Sequence, residues 1–291
     1  VSIVGRPNVG KSTLLNRLIE QKISITSRKS QTTRNNILGI KTKENHQMVF
    51  IDTPGVHINA SKVMNKVLNQ SALGAIEDAD LIIFMLQRNK INTLDELILE
   101  RLRGIKTKKL CVINKLDQVA SKNSLLPVIE KLRSEYDFAE IIPVSAKTGK
   151  NINELENMIC QNLPENNHLY DSDTKFLAKE SFMISEIIRE KIIRFLGEEL
   201  PHETYVQLQK LEDKENIINI DAEIIVARES QKGIVVGKNG AKLKKIGEKA
   251  RIDLEKFFNK KVFLKTWVKT KKNWNNDSDF ISSLGIGSLY D

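Results

Sequence analysis

The chain has 291 residues, 40% apolar and 29% charged, with a formal net charge of +9 and a pI near 9.3. This length suits two domains better than one, and the composition is that of a soluble globular protein rather than a fibrous or disordered one. The longest purely apolar run, Leu81 to Leu86, falls far short of the roughly twenty residues that a bilayer span needs. No signal peptide is visible, but the chain starts at Val1 inside an apolar stub, so natural residues are expected to precede it. Cys111 and Cys160 lie in apolar surroundings without CxxC or histidine spacing, which reads as buried thiols of a reducing, cytoplasmic compartment.

The stub Val1 to Val4 reads as a strand and runs directly into Gly5-Arg6-Pro7-Asn8-Val9-Gly10-Lys11-Ser12, a complete GxxxxGK[ST] phosphate-binding loop. The glycines leave room for backbone N–H groups to curl around phosphates. Lys11 can reach the β and γ oxygens, and the Ser12 hydroxyl can ligate Mg²⁺. Lys11 to Ile19 reads as a helix, which turns its positive end toward the same anion. In the polar loop Ser30-Gln31-Thr32-Thr33-Arg34-Asn35 a threonine can close on Mg²⁺ and the γ-phosphate, with Thr33 favoured over Thr32.

Next comes a strand over Gln47 to Asp52, ending in Asp52-Thr53-Pro54-Gly55. There Asp52 can hold Mg²⁺ through water, and the Gly55 N–H can reach the γ-phosphate. Many GTPases place a water-orienting glutamine directly after this glycine, where this chain has Val56. Slow intrinsic hydrolysis is therefore expected, or compensation by another group. Asn8 is the candidate, holding a monovalent cation such as K⁺ against the phosphate oxygens.

Strands over Leu81 to Leu86, Leu110 to Asn114 and Ile141 to Val144 follow, alternating with helical stretches. Continuous apolar strands separated by helices predict a mainly parallel α/β sheet covered on both faces, with functional loops at the carboxyl ends of the strands. Asn114-Lys115-Leu116-Asp117 follows one strand as an NKxD arrangement. Guanine offers an N1–H and a 2-amino group side by side to the Asp117 carboxylate. Adenine would leave that carboxylate unpaired, a difference worth on the order of 10⁴-fold in a site built on buried polar pairing. Ser145-Ala146-Lys147 completes the base pocket through backbone contact to the guanine oxygen and packing of the lysine.

Residues 164–174, with Glu, Asn, Asp and a Pro, read as a linker between a first domain over 1–163 and a second over 175–291. The second half has another order: a helix from about Lys175 to Glu199, strands near Thr204 to Leu211 and Ile217 to Ala227, then a short helix near Ser230 to Val235. After it comes Gly237-Lys238-Asn239-Gly240, then a helix with apolar positions Leu243, Ile246, Ala250, Leu254 and Phe257, and a strand over Lys261 to Val268. Positive charge clusters here: Arg228 to Arg251 holds eight Lys or Arg against two Glu, and Lys260 to Lys272 adds six Lys with no acid. The α-β-β-α-α-β order with a GxxG loop between two helices resembles a type II KH domain. In that family the loop clamps the backbone of about four unpaired nucleotides while an apolar groove takes their bases. Gly237, Lys238, Asn239, Gly240, Lys242, Lys244 and Lys245 are the candidate RNA contacts, with Lys232 and Lys249 nearby.

Across nearly its whole length the chain resembles the bacterial Era-type GTPases. The resemblance is carried by GRPNVGKST, QTTR, DTPGV, NKLD and VSAK, by SEIIREKIIRFLGEELP over Ser185 to Pro201, by GKNGAKLKKIG, and by the end Trp267 to Trp274. It implies a Mg²⁺-dependent GTPase, acting as a monomer in ribosome assembly, that binds the single-stranded 3′ end of small-subunit (16S) rRNA through its KH domain. It also implies a peripheral association with the inner membrane. Carried onto this chain, the family's GTP contacts are Gly5, Arg6, Pro7, Asn8, Val9, Gly10, Lys11, Ser12 and Thr13; Asp52, Thr53, Pro54, Gly55 and Val56; Asn114, Lys115, Leu116 and Asp117; and Ser145, Ala146 and Lys147. Asn8, Lys11, Thr33 and Gly55 are the residues expected at the reacting phosphate, and Ser12, Thr33 and Asp52 those around the metal. Two other readings are an adaptor whose second domain binds protein rather than RNA, and an ATPase, against which NKxD argues.

Overall fold

The computed structural model describes residues 1–26, 33–34, 37–55, 63–88, 90–196 and 203–284. They form two compact units that divide between Leu177 and Ala178. In the first unit, β1 (Ser2–Val4), α1 (Lys11–Ile19), β2 (Ile37–Lys43), β3 (His46–Asp52), α2 (Val63–Glu77), β4 (Leu81–Gln87) and α3 (Thr93–Arg103) come first. Then follow β5 (Lys108–Asn114), α4 (Leu126–Glu135), β6 (Glu140–Pro143), α5 (Ile152–Asn162) and β7 (Phe176–Leu177). The sheet order is β6-β5-β4-β1-β3-β2-β7, parallel from β6 to β3. β2 and β7 are antiparallel additions at one edge. This is the mainly parallel α/β sheet expected.

Both faces are covered. Ile82, Phe84 and Leu86 of β4 pack with Ile98, Leu99 and Leu102 of α3 and Leu132 of α4. The opposite face carries Ile3 and Ile83, which β-strand alternation places with Phe50 and Met48. There Cys160 of α5 meets Met48, Sγ to Sδ 3.9 Å. Lys41 of β2 is nearly buried on this side and donates to Glu156 of α5 at 2.6 Å and to Glu20 at 3.0 Å. Cys111 is buried as expected, whereas Cys160 is only half-buried; burial raises the thiol pKa of both.

Two strands escape the sequence pattern. β2 contains Gly39 and ends in a Lys-Thr-Lys tail, so neither a continuous apolar run nor clean alternation marks it. β7 is only two residues long. Part of the segment 164–174, read as a linker, is bonded to this sheet. Gln47 of β3 accepts from the Leu169 and Tyr170 N–H groups at 2.8 and 2.9 Å and donates to the Tyr170 carbonyl at 2.8 Å. Ile40 N–H then bonds the Lys175 carbonyl at 2.7 Å. The segment is tied to the sheet edge, and the helix expected from Lys175 begins only at Glu180.

The second unit runs α6 (Glu180–Phe195), β8 (Thr204–Asp213), β9 (Ile217–Val226), α7 (Glu229–Val236), α8 (Ala241–Phe258), β10 (Lys261–Thr270) and a short α9 (Ser278–Ser283). Its sheet order is β10-β9-β8, with β10 parallel and β8 antiparallel to β9. Ile184, Ile188 and Ile192 of α6 and Ile246, Ala250 and Leu254 of α8 bury one face of this sheet. At the end of α8 the side chain packed on the core is Phe258, whereas the sequence spacing pointed to Phe257. Trp274, fully buried, follows β10 and donates its indole N–H to the Glu203 carbonyl at 3.0 Å.

At Gly39 an added Cβ would lie 2.9 Å from Ile23 Cδ1 and Leu15 Cδ1 and 3.0 Å from Ile19 Cγ1. The glycine lets β2 approach α1. Gly39→Ala is expected to cost about 1–3 kcal/mol by overpacking, read as a lower urea midpoint for the nucleotide-binding unit.

Candidate functional site

Four predicted motifs of the first unit sit at or just past the end of a strand of the sheet, whereas Thr33 lies between α1 and β2. Gly5 follows β1, Asp52 ends β3, Asn114 ends β5 and Ser145 lies shortly after β6. In parallel α/β sheets this is where ligands bind, because strand ends and helix N-termini face the same crevice.

The phosphate loop is closed on itself and on its neighbours. Lys11 Nζ donates to the Gly5 and Arg6 carbonyls at 3.0 and 3.3 Å, lying across the loop. Gly10 has φ 108° and ends the loop at the start of α1. An added Cβ there would meet Asn114 Nδ2 at 2.3 Å, so both conformation and space demand glycine. Arg6 Nε reaches Asp95 Oδ2 at 3.1 Å, and the same Asp95 forms the capping box of α3 with Asn92. Gly55 packs on the loop from the other side: its Cβ would lie 2.9 Å from Pro7 Cγ and 3.0 Å from Pro7 N. Thr53 anchors this turn by donating to the Ile3 carbonyl at 2.8 Å.

At the candidate metal position Ser12, Thr33 and Asp52 come together. Ser12 Oγ and Thr33 Oγ1 are 2.9 Å apart, and Thr33 donates to Asp52 Oδ2 at 3.4 Å. Thr33 is buried here, whereas Thr32 and Val56 lie outside the described residues. Asp52 is fully buried and its Oδ1 has no hydrogen-bond partner among the described residues. A buried orphan carboxylate oxygen beside two hydroxyls fits an oxygen-liganded Mg²⁺ and its water shell. When bound, the ion would neutralise charge on the phosphate oxygens. Burial, the dominant cause, raises the Asp52 pKa, against the nearby Lys11 and the hydroxyls of Ser12, Ser24 and Thr33. Burial likewise pushes the Lys11 ammonium down to about 8, opposed by Asp52 and assisted by Arg6.

The base-reading loops meet at Asn114. Its Nδ2 donates to the Val9 carbonyl at 2.7 Å and its Oδ1 accepts the Ala146 N–H at 3.0 Å. That N–H therefore already has a protein partner. Lys115, at φ 65°, donates to the Asn8 carbonyl at 2.7 Å and to Gln87 at 2.6 Å, lying along the phosphate loop. Asn8 is exposed, also in the left-handed region at φ 66°. Leu116 is buried, and its N–H bonds the Val144 carbonyl at 3.0 Å. Asp117 is exposed, with one oxygen accepting from Ser145 Oγ at 2.6 Å, which leaves the other carboxylate edge for a ligand. Lys147 is exposed. Sequence reasoning missed Arg17, which donates to the Ala146 and Lys147 carbonyls at 3.2 and 2.6 Å. No local pattern marks such a contact between residues so far apart in the chain.

In the second unit, the predicted GxxG loop joins α7 to α8. Gly237, Asn239 and Gly240 have φ of 72°, 51° and 75°. A Cβ on Gly237 would collide with Lys242 Cβ at 2.7 Å, whereas Gly240 faces open space. Lys238 and Asn239 are exposed at the tip, Lys242 is half-buried below it, and Lys244 is exposed on α8. Lys245 is exposed as well, with its Nζ 5.1 Å over the Phe195 ring of α6, a cation–π contact. Ile234, 45% exposed on α7, adds apolar surface next to the loop.

A phosphate-loop sheet with these strand-end motifs, followed by an α-β-β-α-α-β unit with a GxxG loop, defines a guanine-nucleotide-binding protein carrying a KH-type domain. Comparison with known proteins agrees. Residues 1–115 match the family model of 50S ribosome-binding GTPases, and residues 199–275 match that of KH domains. GTPase Era of Haemophilus influenzae is 46% identical, over 98% of this chain and 95% of its own, and GTPase Era of Coxiella burnetii is also 46% identical, over 98% and 96%. The crystal structure of Era in complex with MgGDPNP and nucleotides 1506–1542 of 16S ribosomal RNA superposes with a TM-score of 0.94 at 36% identity, covering 98% of this chain and 97% of that one. An Aquifex aeolicus Era variant bound to GDP·AlF4⁻ gives the same values. The chain belongs to the Era family of GTPases.

Two outcomes follow from the site. Asp117→Asn is expected to weaken GTP binding on the order of 10²-fold by leaving the guanine N–H groups without a carboxylate, measured by titration with fluorescent nucleotide. The second concerns Lys11. Below about pH 8 the unliganded fold carries the cost of a buried ammonium, which it sheds as pH rises toward the ordinary 10.5. Phosphate requires the charged form, so GTP binding above about pH 8 should take up a proton and weaken with pH. Calorimetry in buffers of different ionisation heat should show that uptake, and none near neutrality.

Proposed function

We propose that the protein is a ribosome assembly factor whose Mg²⁺–GTP state sets how its KH domain holds the single-stranded 3′ end of 16S rRNA during small-subunit formation. The observation that carries the reading is the pairing of a guanine-type site with a glycine-defined, lysine-bordered GxxG loop in one chain. GTP hydrolysis is the family's activity. The complex of a relative with a GTP analogue, magnesium and nucleotides 1506–1542 of 16S rRNA supports the partner and the metal.

In this reading Gly5 to Thr13 cradle the phosphates, with Lys11 on the β and γ oxygens. Ser12, Thr33 and Asp52 hold Mg²⁺, the Gly55 N–H meets the γ-phosphate, and Asp117 pairs with guanine. Loss of the γ-phosphate frees Thr33 from the metal. Gly237 and Gly240 let an RNA phosphate approach the backbone at the start of α8, whose positive end and Lys238, Lys242 and Lys244 attract it. Lys245, exposed one residue further along the same helix, belongs to this set. Asn8 holds K⁺ where an arginine would otherwise place charge. The proposal includes a cytoplasmic protein that acts as a monomer. It also includes a peripheral contact with the inner membrane, which the family resemblance supports.

Titrating the full chain with a short single-stranded RNA of the 16S 3′ end should give salt-dependent binding with a log–log slope near −3.5, for about five phosphate contacts. Gly237→Asp should abolish it, and absence of binding at low salt would favour the protein-adaptor reading. Separately, GTP hydrolysis should be faster in K⁺ than in Na⁺; equal rates would remove Asn8 from the reacting site.

A further inference from the structure

The residues assigned above do not explain what orients Asp52. Its Oδ2 accepts a hydrogen bond from the Ser24 hydroxyl at 2.8 Å, shorter than the 3.4 Å contact from Thr33. Oδ1 is the oxygen left without a partner. Ser24 is itself buried, and its backbone is clamped by a side chain of α1. Asn16 Oδ1 accepts the Ile23 and Ser24 N–H groups, both at 2.9 Å, and Asn16 Nδ2 donates to the Ser24 carbonyl at 2.6 Å. Asn16 lies one helical turn beyond Ser12, on the same face of α1, so the helix that presents Ser12 also fixes Ser24.

We propose that Ser24, held by Asn16, is a positioning residue for the metal-site carboxylate: it occupies Asp52 Oδ2 and thereby turns Oδ1 toward the water shell of Mg²⁺. The inference rests on the Mg²⁺–GTP reading of the same site. A carboxylate can present either oxygen, and a donor fixed to α1 removes that choice. Ser24 differs from Thr33 in its tether. Thr33 belongs to the loop that lets go after hydrolysis, whereas Ser24 is bonded to the phosphate-loop helix. The carboxylate therefore keeps its orientation in the GDP state, and Mg²⁺ stays with GDP.

The test is release of fluorescent GDP from the full chain, with millimolar Mg²⁺ or with EDTA. In the unaltered protein Mg²⁺ should slow release; if it does not, the metal-site reading fails before Ser24 is at issue. Given that slowing, Ser24→Ala should speed release in Mg²⁺ about tenfold, the scale of one charge-assisted hydrogen bond, and leave the EDTA rate unchanged. Ser24→Thr, which keeps the hydroxyl, should restore the slow rate. Asn16→Ala should act in the same direction as Ser24→Ala and carries the test if that variant does not fold. Equal acceleration with and without Mg²⁺, or no change in either, would overturn the proposal.

Discussion

One side-chain amide holds the nucleotide site together. Asn114 donates to the Val9 carbonyl of the phosphate loop and accepts the Ala146 N–H of the second base-reading loop. Two loops that lie far apart in sequence are thus pinned to the end of β5. The amide approaches so closely that Gly10 has no room for a Cβ. The candidate base-reading and phosphate loops consequently share one scaffold: shifting the first would pull on Val9, and shifting the second would pull on Ala146. Arg17 and Lys115 add further ties between the same loops, through the Ala146, Lys147 and Asn8 carbonyls.

The charges inside this scaffold are arranged for a ligand that brings its own. Lys11 and Asp52 are both buried, and burial moves both toward neutrality, the lysine downward and the carboxyl upward. Phosphate oxygens and a divalent ion reverse both tendencies at once. The hydroxyls of Ser12, Ser24 and Thr33 converge on the carboxylate, an expensive arrangement for a core that held nothing.

Much of this was legible in the sequence because each motif is short, local and placed at the end of an apolar strand. The phosphate loop, Asp52, Asn114 and Ser145 need only β periodicity to be located. What was missed has a physical reason. β2 is interrupted by Gly39, which is there for contact with α1 rather than for any local pattern, and β7 is too short to carry a period. Ser24, Asn16, Arg17 and Asp95 act through contacts between segments, which no spacing rule encodes. Phe257 and Phe258 are adjacent, and the pattern could not tell which of them reaches the core.

The proposed coupling of nucleotide to RNA needs a loop in the second unit that RNA can reach. Positive φ at Gly237, Asn239 and Gly240 shapes a loop that a phosphate can approach, at the start of a helix lined by lysines. The most direct measurement is the affinity of the full chain for 16S 3′-end RNA with a non-hydrolysable GTP analogue and Mg²⁺, compared with GDP and Mg²⁺, at one salt concentration. The account requires several-fold tighter binding with the GTP analogue. Equal affinity in the two states would contradict it.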